Sequence, residues 1–159
     1  MLLDDASELR EPVAVRIFTL CDHASVPPDG KVYIHGGGVN QVFLPQFPGP
    51  LRPLWLMVRL FIPWSMLGEP HTVKIRALDL DRNPVGPNDP LLTTPFELGK
   101  PPGHRPGDES AINICAELTG LSVQQPMTLR FHLLVDDDTI GSLPLKVAPI
   151  PQQGLGGQR

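Results

Sequence analysis

The chain has 159 residues, 41% of them hydrophobic and 19% charged, with a formal net charge of −4 and a pI near 5.6. This composition reads as one globular domain rather than a disordered or membrane-spanning chain, and its negative charge gives the molecule as a whole no attraction for a phosphate backbone. No window approaches the roughly 18 apolar residues of a membrane helix, and 20 prolines with 15 glycines break helices repeatedly and favour short strands joined by turns.

Residues 1–11 read as a flexible lead-in, with a helical turn around "DDASELRE". They are acidic early and lack the basic-then-apolar layout of a secretory signal. A cytoplasmic, reducing location is therefore expected, in which Cys21 and Cys115 remain free thiols. "VAVRIFTL" (Val13 to Leu20) is rich in β-branched and aromatic residues and predicts a strand. In "SVPPDGK" proline presets φ and glycine accepts a positive φ, which predicts a turn, and "KVYIHGGGVNQVFL" resumes extended structure.

"LWLMVRLFIP" sets Leu54, Leu56, Val58, Leu60 and Ile62 on one face, and bracketing prolines favour a strand over a helix. "HTVKIRALDLD" alternates as a half-exposed strand. "LLTTPFELG" is demoted to an edge by Pro95; the exposed run Thr93 to Leu98 suggests self-association through that edge. "KPPGHRPGDES" is a turn-rich connection. "AINICAEL" points Ile112, Ile114, Ala116 and Leu118 inward and Cys115 outward. "MTLRFHLLVDDDTIGSLPLKV" is the clearest hairpin, and "APIPQQGLGGQR" reads as a disordered tail over 149–159.

About eight strands and no long helix predict an all-β fold: an antiparallel two-sheet β-sandwich, immunoglobulin-like or C2-like, over residues 12–148. The segments "CDHA" (Cys21 to Ala24), "DGKVYIHGGG" (Asp29 to Gly38), "VRL" with "PW" (Val58 to Trp64) and "GKPPGHRPGD" (Gly99 to Asp108) resemble those of a bacterial family of unknown function. The resemblance covers about Val13 to Val147. It implies a compact β-rich bacterial domain and carries no catalytic assignment.

The residue types that catalysis and metal binding favour gather in "CDHASVPPDGKVYIHGGG". If the turn closes a hairpin, Cys21, His23 and His35, with Asp22 near them, could meet as ligands for zinc, but their spacing matches no standard pattern and a fourth ligand is not evident. A Cys21 nucleophile with His23 or His35 as base would need a lowered thiol pKa and an oxyanion hole, and no elbow or protease motif is present. The preferred reading makes Cys21 a small buried hydrophobe, with Asp22, His23 and His35 bracing loop backbone. Gly36, Gly37 and Gly38 lack the helix a phosphate loop requires. They read as a structural bend against which a ring, Trp55 or Trp64, packs.

Asp136, Asp137 and Asp138 are too few oxygens for calcium and read as a solvated hairpin tip. Arg59, Lys74, Arg76, Arg130 and His132 share outward parity and form a candidate basic face if their strands are neighbours. The expected function is that of a non-enzymatic binding or protein-interaction module without a cofactor. Its expected partner is a protein or a second copy, not nucleic acid and not a membrane; a metal or thiol site at Cys21, His23 and His35 is the alternative.

Overall fold

A computed structural model describes residues 11–152. The expected helical turn before Glu11 and the tail beyond Gln152 lie outside the described residues. Twelve strands follow in chain order: β1 (Ala14–Cys21), β2 (His23–Ser25), β3 (Tyr33–His35), β4 (Gln41–Leu44), β5 (Gly49–Pro50) and β6 (Leu54–Ile62) form the first half. After a single 3-10 turn at Trp64–Met66 come β7 (Pro70–Leu78), β8 (Leu92–Glu97), β9 (Ser110–Leu118), β10 (Ser122–Val123), β11 (Met127–Val135) and β12 (Asp138–Pro149). No helix among the described residues is long and apolar enough to cross a membrane.

The fold is all-β, as the alternation predicts. Eight strands build two main sheets, a three-stranded one in the order β1-β6-β9 and a five-stranded one in the order β4-β12-β11-β7-β8. The other four form two small ladders, β2-β3 and β10-β5. One pairing departs from the antiparallel expectation: β4 runs parallel to β12, Val42 opposite Val147.

The inward residues of both main sheets share one core. Leu56, Val58 and Leu60 of β6 meet Ile75 of β7, Phe131 and Leu133 of β11 there, all fully buried. The period of two fixes this, since a slip by one residue would turn each apolar set out to water. The β11–β12 hairpin closes with Val135 opposite Asp138. The two intervening residues, Asp136 and Asp137, take φ of 48° and 67°, the left-handed values that a tight two-residue hairpin turn requires. β12 reaches Pro149, and the Ile150 N–H donates to the Leu44 carbonyl at 3.1 Å.

Candidate functional site

At Asp22 the chain leaves the three-stranded sheet. Its N–H is shared between the carbonyls of His35 and Gly36, at 3.0 and 3.2 Å. This breaks the alternation and folds the β2–β3 hairpin back over the outer face of the sheet. The Pro-Pro-Asp-Gly turn forms as the sequence predicts, with Gly30 at φ 76° and its N–H bonded to the Pro27 carbonyl. Beneath the hairpin lies a second small core of Cys21, Ala24 and Met57, with Ile17, Val32 and Ile34 packed against it.

This geometry separates the cluster that the sequence brought together. His23 and His35 face each other across the hairpin, ring centroids 6.1 Å apart, and both are exposed. Cys21 is wholly buried, its Sγ donating to the Trp55 carbonyl at 3.5 Å. Cys21 lies beneath the hairpin in the small core, whereas His23 stands exposed above it against Trp55. Among the described residues no three His, Cys, Asp or Glu side chains come together as a metal set. Burial, then the charges of Cys115 and Asp22, push the Cys21 thiol above its ordinary value, outweighing a lowering backbone bond at His23. That is opposite to the shift a nucleophilic cysteine needs.

The bracing roles differ too. The Asp22 carboxylate pairs with Arg52 at 2.9 Å, and His23 sets its ring edge-on to Trp55, centroids 4.8 Å apart. Gly36, at φ 62°, is the tight point of the glycine bend: a Cβ there would overlap the Asp22 carboxylate. The close neighbour is thus the carboxylate of Asp22, between β1 and β2, and not Trp55 or Trp64. Gly37 approaches the Ile34 side chain, whereas Gly38 has open space at φ 78°. Cys115, read as outward, does point to that face but is covered by the hairpin, its Sγ donating to the Ala24 carbonyl at 3.1 Å.

Between the hairpin and the middle strand of the sheet runs an open groove of about 480 Å³, lined by Ile17, Gly30, Lys31, Val32, Tyr33 and Arg59. Arg59 is half-buried on its floor and donates to Asn113 Oδ1 at 2.9 Å. The Asn113 amide in turn donates to the Gly30 carbonyl at the hairpin tip, at 3.4 Å. One neutral side chain therefore orients the guanidinium and ties it to the turn. Among the described residues neither Arg59 nor Lys31 has an ion-pair partner. Tyr33 stands 45% exposed at the edge of the groove. The sequence offered no sign of Asn113, because its role depends on β6 and β9 being neighbours.

The candidate basic face does not form as one stripe. Arg59 lies on the three-stranded sheet, whereas Lys74, Arg76, Arg130 and His132 lie on the five-stranded one. Arg76 is held by Asp89 through two bonds of 2.9 Å and Lys74 by Asp137 at 2.6 Å, so two of those charges are compensated within the fold.

A polar pair that the sequence reading passed over sits at the other end of the molecule. His71, 9% exposed, bonds Asp136 Oδ2 through Nδ1 at 2.6 Å and the Met66 carbonyl through Nε2 at 2.7 Å. A carboxylate and a carbonyl both accept hydrogen bonds, so this pair of partners favours the imidazolium, in which both ring nitrogens carry protons. Burial opposes that charge, but the Asp136 bond, the Met66 carbonyl and the charges of Asp136 and Glu69 together raise the His71 pKa. Asp136 also accepts from the Thr72 N–H at 3.0 Å. The acidic hairpin tip is therefore partly structural.

No curated protein matches the chain. Among solved structures, the chain is similar to Pseudomonas fluorescens alkylpurine DNA glycosylase AlkC bound to DNA containing an abasic site analog, at 12% identity and a TM-score of 0.44. That match covers 86% of this chain and 30% of the other. With a sequence-family model matching residues 16–148, the chain belongs to the Family of unknown function (DUF6941).

Proposed function

We propose that the chain is a non-enzymatic binding module whose recognition element is the groove between the β2–β3 hairpin and Arg59. Its ligand would be a protein segment that presents a carboxylate beside an apolar side chain. The observation that supports this is the state of Arg59: a half-buried guanidinium oriented by a neutral amide, with no carboxylate of the described residues to compensate it. A guanidinium has five donors in a planar fork. One is used on Asn113, and those remaining suit a carboxylate, with the Lys31 charge nearby. Val32 and the Tyr33 ring supply apolar area on the hairpin side and Ile17 on the floor beside Arg59.

The test is an NMR titration of the labelled full chain with the peptide acetyl-Glu-Leu-Glu-Leu-amide and with its Gln-Leu counterpart. Shifts should concentrate at Arg59, Lys31 and Tyr33 with the acidic peptide alone. Arg59→Gln should weaken binding about tenfold or more, the usual scale of a charge-assisted bond. Equal response to both peptides, or shifts elsewhere, would overturn the reading.

A further inference from the structure

The two main sheets are unequal, and the shortfall falls at one end. At the β4 edge of the wider sheet the inward side chains Val42 and Leu44 are buried. At the opposite edge the inward residues of β8, namely Leu92, Thr94 and Phe96, are only half-buried, although their neighbours His71, Val73 and Ile75 on β7 are covered. The three-stranded sheet thus leaves the β8 edge of the five-stranded one uncovered. The last strand of the smaller sheet at this end is β9. A cleft of about 190 Å³ opens between its C-terminal end, at Glu117 and Leu118, and the chain entering β8, at Pro87, Asn88 and Leu91.

The outer edge of β9 is also bare. Among the described residues its backbone bonds only to β6. It is nine residues long, with neither proline nor lysine to discourage pairing. The other edges are managed: β8 carries Pro95, β4 is only four residues long, and β1 is overlaid at its end by Val39, whose N–H donates to the Leu20 carbonyl.

We propose that β9 takes an extended segment of a partner protein as a fourth strand of the smaller sheet, its inward side chains covering Leu92, Thr94 and Phe96. The site is separate from the Arg59 groove. Main-chain bonds to β9 would supply affinity and alternate apolar side chains the fit. Asp108 precedes the strand and Glu117 lies near its end, neither with an ion-pair partner among the described residues, whereas Glu109 is paired with Arg16 at 3.8 Å, so the segment should carry lysine or arginine at its ends. A second copy of this chain fits less well, because its own β8 edge would have to occupy the space beneath the added strand.

The probe is acetyl-Lys-Val-Thr-Val-Thr-Val-Lys-amide, added to the full chain while amide hydrogen exchange is followed by NMR. Amides of β9 that point away from β6 should exchange about tenfold more slowly, and those of β4 and β1 should not change. N-methylation of alternate peptide amides should abolish the protection without any change to the protein, and Glu in place of the terminal Lys should weaken binding about fivefold. Absence of protection at β9, protection that survives N-methylation, or a dimer paired through β9 would overturn the proposal.

Discussion

At Cys21 burial, the Cys115 sulfur and the Asp22 carboxylate all act against a thiolate, and burial raises Cys115 as well. In the folded protein at pH 7 both thiols should therefore react with a disulfide exchange reagent about tenfold or more slowly than in the denatured chain. Rapid labelling of Cys21 in the native state would contradict this and restore it as a reactive group. Oxidation should not join the two, because strands β1 and β9 flank β6. Strands two apart lie about 9–10 Å from each other, beyond the roughly 7 Å a disulfide can span. The sequence made both the reactive and the inert reading of Cys21 available. The burial of Cys21 beneath the hairpin supports the inert one and follows from the break at Asp22, and no periodicity shows which residue will interrupt a strand.

At the scale of the element, the β2–β3 hairpin is held to the sheet by its small core, by the bonds of Asn113 to Gly30 and of Cys115 to Ala24, by His23 against Trp55, and by the close approach of Asp22 to Gly36. Gly36→Ala meets both a strained φ and the carboxylate, and should cost about 1–3 kcal/mol. Gly38→Ala meets only the φ and should cost about 1 kcal/mol. Adding Asp22→Ala to Gly36→Ala should recover part of the loss, since the overlap is removed and the backbone strain is not. Equal losses at the two glycines in urea melts would show that the Asp22 contact is not tight. The bend, the turn and the main strands were legible because glycine, proline and alternation act locally. Which sheet Arg59 joins, and that Asn113 would stand beside it, were not legible, because both follow from strand order.

For the whole molecule, two histidines oppose each other in how stability should follow pH. His71 is raised above its ordinary 6.5, so the folded state holds a proton that the unfolded chain gives up. Its contribution is full below about 6.5 and is lost as pH rises through the raised value. His132 is lowered from 6.5 by burial first and then by the charges of Arg82, Arg130 and Arg76. Below about 6.5 the unfolded chain takes a proton that the folded state refuses, so stability is lost as pH falls through the lowered value. Asp89, held down by its bonds to Arg76, adds a further loss only below its ordinary 3.8. The two histidines thus define a stability maximum near pH 6.5, falling on both sides for separate reasons. In denaturant melts across this range, His71→Gln should cost about 1–3 kcal/mol at pH 6 and flatten the alkaline limb. His132→Gln should flatten the acid limb and leave the alkaline one in place. If the alkaline decline survives His71→Gln, the imidazolium held between Asp136 and Met66 is not its source.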